Sequence, residues 1–291
     1  MSDRDRTLDL LHAYRLAGEA SAAAAEVESG MEVPPDPQAA AFFDVDNTIM
    51  KGASIFHLAV GLAKRRFFTV AEISDFAAKQ LKFVLSGSED LEDMESATEA
   101  ALSFVRNRRV EEIVTLGEEI FDDVMVDKLV PGTLALAQGH LDAGQRVWLV
   151  TATPVELATI IAKRLGFTGA LGTVSEVVDG VYTGRLRGRP LHGLAKAEAV
   201  RALADRENLD LARCAAYSDS ANDIPMLSLV GTPVAVNPDP ELRAYAADNH
   251  WRVRDYRRRA SVRRRAAPIA GIAGLAAGAA AGYALGRLAR R

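Results

Sequence analysis

The stretch "FFDVDNTIM", residues 42–50, decides the fold, because it joins an apolar run to two aspartates that are one residue apart. The run "AAFF" has the length of a buried strand, and Asp44 and Asp46 follow it directly. Ligand sites of open parallel sheets lie at the carboxyl ends of strands, so this position predicts a functional site. The simpler alternative is that one aspartate only caps the next helix.

The rest of the chain predicts a parallel sheet covered by helices. Its 291 residues are 49% hydrophobic, which is enough to bury a core. The strand-like runs "RVWLV", "CAAY" and "TPVAV" alternate with helix-like stretches at 154–165, 193–207 and 239–248. This alternation is typical of a doubly wound, Rossmann-like α/β domain. The single cysteine, Cys214, excludes an intramolecular disulfide.

Composition changes along the chain predict five segments. Residues 53–128 contain amphipathic stretches but no convincing strand, which indicates an inserted helical domain. The segments are a mobile lead-in at 1–40, an α/β core at 41–52 and 129–250, a helical insertion at 53–128, a basic linker at 251–265, and an Ala/Gly-rich helix at 266–286.

A second acidic cluster, "YSDSANDIPML", follows the strand "CAAY" and contains Asp219, Asn222 and Asp223. Two strand ends therefore present four carboxylates. Crowded carboxylates repel one another, and oxygen ligands select a hard divalent cation such as Mg²⁺. Thr151 ends a third strand, and Lys196 lies early in a helix, where its positive charge can reach the same edge of the sheet.

The order D-x-D-x-T, strand-end Thr, Lys and D-x-x-x-D resembles the four motifs of the haloacid dehalogenase superfamily over residues 41–250. The helical insertion, "DVDNT" and "SDSANDIPML" are similar to subfamily IB, which contains the phosphoserine phosphatases. The resemblance implies a Mg²⁺-dependent phosphatase of a small phosphate monoester. It also implies that 41–52 and 129–250 form the catalytic core and that 53–128 form a helical cap. The Asp46 carboxylate argues against a dehalogenase, which has no alcohol leaving group to protonate.

The resemblance also implies a role for each matching residue. Asp44 is the nucleophile that forms an aspartyl-phosphate, and Asp46 is the general acid and base. Mg²⁺ is held by Asp44, the backbone carbonyl of Asp46 and Asp219, while the phosphoryl oxygens are bound by Thr151 and Lys196, and the supporting residues are Thr48, Asn222 and Asp223.

The substrate is less well defined by the sequence. Phosphoserine phosphatases place a glutamate just after the first motif to meet the substrate ammonium, but this chain has no acidic residue between Thr48 and Glu72. Two alternatives stay open. One is hydrolysis of a lipid-derived phosphate, such as a lysophospholipid or glycerol phosphate. The other is a membrane-tethered binding protein that has a phosphatase fold.

The charge distribution and the C-terminus predict a membrane attachment. Residues 251–291 carry a charge of +10 and residues 1–250 carry −14, and an acidic body with a basic tail argues against nucleic-acid binding. The uncharged segment 266–286 has the length of a membrane helix, and its glycines recur every fourth residue over 274–286, a pattern typical of helix self-association. Because the N-terminus lacks a secretory signal, we expect a cytoplasmic catalytic domain attached to the cytoplasmic membrane.

Overall fold

The computed structural model of the protein describes residues 35–67 and 105–257. Within them, residues 35–65 and 107–257 belong to one compact unit. The elements in chain order are β1 (Ala40–Phe43), α1 (Ser54–Lys64), α2 (Val110–Ile120), α3 (Pro131–Asp142), β2 (Arg146–Pro154), α4 (Val155–Leu165), β3 (Gly169–Thr173), β4 (Ser175–Val178), β5 (Val181–Leu186), α5 (Leu194–Glu207), β6 (Ala215–Ser218), α6 (Ile224–Leu227), β7 (Thr232–Val236), α7 (Pro240–Asp248) and β8 (Arg252–Arg254).

Six of the strands form a parallel sheet in the order β3-β2-β1-β6-β7-β8, which confirms the predicted α/β class. The chain moves outward from β1 to β3 and then returns to the other side of β1, so the strand order reverses between β1 and β6. A crevice opens at such a switch point, outside the carboxyl ends of the two strands. Phe43 lies opposite Leu149 on one side and Tyr217 on the other, which brings the segments after β1 and β6 together.

An aromatic cluster supports this part of the sheet. The rings of Phe43 and Tyr217 stack with a centroid distance of 4.1 Å. The hydroxyl of Tyr217 lies 2.7 Å from Nε2 of His140 in α3, and Nδ1 of His140 lies 2.7 Å from Oε1 of Gln145. Because these aromatic side chains are buried and their polar atoms are paired, the strand ends under the site have a fixed position.

The helical segments expected between the first and second motifs are present where the structure describes them. α1 and α2 match the amphipathic stretches "SIFHLAVGLAKRR" and "VEEIVTLGEEIFDDVM" of the sequence. α2 continues through a π-helical turn, Phe121–Met125, and a 3-10 turn, Val126–Lys128. Both helices belong to the compact unit that contains the sheet. Residues 68–104 lie outside the described part, so a cap domain with the bounds 53–128 stays a prediction.

The antiparallel hairpin of β4 and β5 was not predicted from the sequence. Its turn is formed by Asp179 and Gly180, which both have positive φ angles of 50° and 76°. An Asp-Gly pair between short apolar runs is a typical signal for a hairpin turn of this kind. The sequence "VVDGVY" therefore contains a hairpin signal, which is separate from the alternation of strands and helices that predicts the parallel sheet.

The sheet continues into the segment that was predicted to be a basic linker. β8 pairs with β7, and Asp255 forms ion pairs with Arg243 and Arg257. A Cβ on Gly132 would lie 2.3 Å from the ring of Tyr256, so this ring packs directly on the start of α3. No helix of the described residues, 35–67 and 105–257, is long and apolar enough to cross a membrane, and the predicted helix 266–286 lies outside them.

Candidate active site

A buried ammonium lies between two carboxylates beyond the ends of β1 and β6. Nζ of Lys196 donates to Oδ1 of Asp44 at 2.6 Å and to Oδ2 of Asp223 at 2.8 Å. Asp44 follows β1, Asp223 lies in the 3-10 turn after β6, and Lys196 belongs to the first turn of α5. The structure therefore brings together three side chains that are separated by up to 179 positions in the sequence.

Burial and neighbouring charges shift the pKa values of Asp44 and Lys196. Burial raises the pKa of Asp44 to about 7, the ammonium of Lys196 opposes the rise, and the carboxylates of Asp223 and Asp46 add to it. Burial alone would lower the pKa of Lys196, but the two carboxylates outweigh it and raise the pKa above its usual value. Lys196 is therefore a permanent positive charge at neutral pH, while Asp44 needs further positive charge to be fully ionised.

Asp46 is held by residues that the sequence did not point to. Its Oδ1 accepts hydrogen bonds from N and Oγ of Ser54, at 2.8 and 2.6 Å. Oγ of Ser54 also lies 2.6 Å from Oγ1 of Thr153. A lone serine at a helix start and a second threonine after a strand are common features, so no sequence pattern distinguishes them from ordinary polar residues.

Thr151 was predicted to end its strand, but β2 runs three residues further, to Pro154. The pairing between β2 and β3 becomes irregular between Val150 and Pro154, and Thr151 lies in this irregular part. Its Oγ1 accepts a hydrogen bond from N of Thr153 at 3.2 Å, and its side chain is buried. Thr151 therefore lies near the carboxyl end of β2, and its role in binding phosphate stays a prediction.

Asp219 is half-buried beside the ionic group. Oγ1 of Thr48 lies 3.5 Å from Oδ1 of Asp219, a long contact that orients the carboxylate only weakly. Burial raises the pKa of Asp219 to about 6, and the charge of Asp223 adds to the rise. The side chain of Asn222 is exposed and contacts Oγ of Ser220, so it does not point into the ionic group.

Asp239 holds the loop after β6 in place. Its backbone N donates to the carbonyl of Asp219 at 2.8 Å, and its Oδ2 accepts from N of Ala221 at 2.8 Å. Its Oδ1 caps α7 by accepting from N of Leu242. An aspartate before Pro240 is a typical N-cap signal in the sequence. The contact of Asp239 with the loop after β6, however, depends on the packing of β7 beside β6.

The residues present fit a hard cation better than a soft one. In the part of the chain that the structure describes, no cluster of three or more His, Cys, Asp or Glu side chains could hold a metal by itself. Mg²⁺ does not need one, because it is usually bound by one or two carboxylates together with water and substrate phosphate. Asp44 and Asp219 are carboxylates with raised pKa values at adjacent strand ends, and a cation there would favour their ionised forms.

Comparison with known proteins shows the family of the chain. The family model for haloacid dehalogenase-like hydrolases matches residues 41–228. Phosphoserine phosphatase SerB1 of Mycobacterium tuberculosis is 55% identical over 263 residues, which are 90% of this chain and 84% of that protein. Histidinol-phosphatase of Neisseria meningitidis is 30% identical over 223 residues, which are 75% of this chain and 98% of that protein.

A solved structure has a similar fold. A protein of unknown function from Bordetella pertussis Tohama I superposes with a TM-score of 0.66 at 31% identity, and the match covers 75% of this chain and 99% of that protein. The chain belongs to the haloacid dehalogenase-like hydrolases and is a phosphatase of that family. The resemblance inferred from the motifs is thereby confirmed.

Proposed function

We propose that the protein is a Mg²⁺-dependent phosphomonoesterase that works through an aspartyl-phosphate on Asp44. The observation that carries the proposal is the buried ammonium of Lys196, 2.6 Å from Asp44 and 2.8 Å from Asp223. An anionic nucleophile can approach an anionic phosphate only when positive charge offsets the repulsion. A fixed, buried lysine beside the nucleophile supplies that charge without reorganisation during the reaction.

The chemical steps assign one task to each side chain. An oxygen of Asp44 attacks phosphorus, the bond from phosphorus to the ester oxygen breaks, and Asp46 gives its proton to the departing alcohol. In the second step Asp46 takes a proton from water, whose oxygen attacks phosphorus and releases Asp44. Lys196 and the hydroxyl of Thr151 bind the phosphoryl oxygens and keep phosphorus in line with the attacking oxygen.

The metal site would be formed by the carboxylates of Asp44 and Asp219 and the backbone carbonyl of Asp46, with Asp223 beside them. When bound, Mg²⁺ supplies positive charge that neutralises the phosphate and orients it for attack. Thr48 and Asn222 belong to the loops that carry these residues, and Oγ1 of Thr48 lies 3.5 Å from Oδ1 of Asp219.

We propose a small alcohol phosphate as substrate, without a strong selection for phosphoserine. The names of the two enzyme relatives, a phosphoserine phosphatase and a histidinol-phosphatase, both indicate phosphates of small alcohols that carry an amine. This chain, however, has no carboxylate between Thr48 and Glu72 to meet a substrate ammonium. These substrates have the alcohol phosphate in common. The residues described above have proposed roles only towards that group.

The C-terminal segment adds a second part to the proposal. Eight arginines lie between 252 and 265, ahead of the uncharged stretch 266–286. We propose that the stretch attaches the enzyme to the inner face of the cytoplasmic membrane, that the arginines bind anionic lipid, and that the glycine face 274–286 permits self-association.

A substrate screen tests the proposed activity. Purified full-length protein is incubated with Mg²⁺ and a panel of phosphorylated small alcohols, sugars, amino acids and lysophospholipids, and released phosphate is measured. We expect hydrolysis of several small esters. Hydrolysis of lysophospholipids alone would favour a lipid substrate, and no hydrolysis of any ester would favour a binding protein on a phosphatase fold.

A further inference from the structure

Ser54 contacts Asp46 in a way that ordinary helix capping does not explain. Oδ1 of Asp46 accepts from both N and Oγ of Ser54, at 2.8 and 2.6 Å, so one carboxyl oxygen receives two donors from one residue. A backbone N–H alone would be enough to satisfy the first turn of α1. The side chain of Ser54 is fully buried, which means that water cannot replace its hydroxyl in this contact.

We propose that Ser54 and Thr153 are positioning residues that hold Oδ1 of Asp46 and leave Oδ2 as the oxygen that exchanges the catalytic proton. This inference rests on the proposed function, in which Asp46 is the general acid and base. No described residue donates a hydrogen bond to Oδ2 of Asp46, whereas Oδ1 already receives two. A proton on Oδ1 would point at one of these donors, so the acid form of Asp46 carries its proton on Oδ2.

The direction of the hydrogen bonds follows from the number of protons. An ionised carboxylate only accepts, so the hydroxyl of Ser54 donates to Asp46. Ser54 then has no proton left for the 2.6 Å contact with Thr153, and the hydroxyl of Thr153 must donate to Oγ of Ser54. Thr153 is 3% exposed, and this buried pair fixes the orientation of the Ser54 hydroxyl.

The same residues connect Asp46 to the part of the site that is proposed to bind phosphate. N of Thr153 donates to Oγ1 of Thr151 at 3.2 Å, while its side chain contacts Ser54. One irregular segment of β2 therefore orients both the proposed phosphate-binding hydroxyl and, through Ser54, the proton donor. In the chemical step, the proton moves from Oδ2 of Asp46 to the ester oxygen as its bond to phosphorus breaks, and a proton from water later returns to Oδ2.

The test uses leaving groups that differ in their need for a proton. An alkoxide needs protonation in order to leave, whereas 4-nitrophenolate leaves without it. The quantity to be measured is kcat/KM, which reports the first chemical step. The substrates are 4-nitrophenyl phosphate and two alkyl esters, O-phosphoserine and glycerol 3-phosphate. Ser54→Ala is expected to lower kcat/KM for the alkyl esters by about 10-fold or more, and for the nitrophenyl ester by less than about 3-fold.

Matched variants separate positioning from a general loss of structure. Thr153→Val is expected to give the same selective loss to a smaller degree, and Thr153→Ser, which keeps the hydroxyl, should recover most of it. Thr133→Val makes the same chemical change at a buried threonine whose hydroxyl has no partner among the described residues, and it should leave the ratio of the two rates unchanged. If Ser54→Ala does not fold, as judged by circular dichroism, the Thr153 pair decides the question.

The outcomes distinguish this inference from the proposed function. If the wild-type protein hydrolyses neither class of ester, the proposed function fails and the inference fails with it. If it hydrolyses both, and the variants lower the two rates equally or not at all, Asp46 does not depend on Ser54 and only the inference is overturned. A second check combines Ser54→Ala with Asp46→Asn, which should add little to the loss of alkyl ester hydrolysis caused by Asp46→Asn alone.

Discussion

Nζ of Lys196 lies 2.6 Å from Oδ1 of Asp44, and the two side chains are only 5% and 7% exposed. A buried pair of this kind is costly to assemble and strongly destabilising to break, because the remaining charge is left without compensation. Here Asp223 also contacts the ammonium, so Lys196 keeps one anionic partner when Asp44 changes. We therefore expect the fold to tolerate a substitution of Asp44 that leaves the shape of the side chain intact.

The first prediction concerns the nucleophile. Asp44→Asn should abolish turnover while the fold is retained, since the side chain keeps its size and Lys196 keeps Asp223 as a partner. Asp46→Asn should lower kcat by about 10²- to 10⁴-fold, because it removes proton transfer but not the nucleophile. Steady-state kinetics and circular dichroism measure both effects, and near-normal activity in either variant would contradict the mechanism.

The second prediction concerns the metal. EDTA should abolish activity and Mg²⁺ should restore it, whereas Ca²⁺ should support much less, because its larger and looser coordination does not keep the reacting atoms in line. Asp219→Asn should raise the Mg²⁺ concentration needed for half-maximal activity. Activity is measured across a titration of each ion. Full activity in excess EDTA would show that the carboxylates have another purpose.

The third prediction concerns substrate choice. Because no acidic residue follows Thr48 before Glu72, kcat/KM for phosphoserine should be similar to that for alkyl phosphates without an amine, such as glycerol 3-phosphate. Phosphoserine and its deaminated analogue 3-(phosphonooxy)propionate form a useful pair for comparison, because they differ only in the amine. A strong preference for phosphoserine would mean that another residue of the chain binds the ammonium.

The fourth prediction concerns stability and pH. Burial lowers the pKa of His140 below 6.5, although its hydrogen bond to Gln145 opposes this. The unfolded chain therefore takes up a proton below pH 6.5 that the folded protein does not, and the contribution of His140 to stability is lost as pH falls below that value. The loss has an upper limit of about 1.4 kcal/mol per pH unit.

His140→Gln provides the comparison, because glutamine does not titrate. The free energy of unfolding is measured with urea at pH 7.5 and pH 5.5 for both proteins. The raised pKa of Asp44 acts in the opposite direction, since it stabilises the folded state as pH falls through 7, but it is present in both proteins and cancels. If wild type and variant change equally between the two pH values, His140 is not a neutral buried group.

The fifth prediction concerns the C-terminus. The full-length protein should fractionate with membranes and resist release by high salt, because an apolar helix is held by the hydrophobic effect and not by charge. A truncated chain that ends at Arg257 keeps β8 and the contacts of Asp255, so it should be released from membranes and stay active. Release of the full-length protein by salt alone would show that the attachment is only electrostatic.

The sequence by itself determined the fold class and the position of the main carboxylates. The apolar runs and the helical stretches between them have periods that belong to the local chain, and the three predicted helices 154–165, 193–207 and 239–248 are confirmed to within one residue as α4, α5 and α7. The aspartates after β1 and β6 lie together because parallel strands place their carboxyl ends at one edge, which is a consequence of topology and needs no detail of packing.

The tertiary structure alone decided which partners these side chains have. That Lys196 lies between Asp44 and Asp223, and that Ser54 and Thr153 hold Asp46, depends on how α5, α1 and β2 pack around the end of β1. Distances of this kind arise from the packing of side chains that are far apart in the sequence, and no local period encodes them. The same holds for β8. Its arginine-rich sequence predicts a solvated linker, whereas in the structure its backbone pairs with the edge of β7.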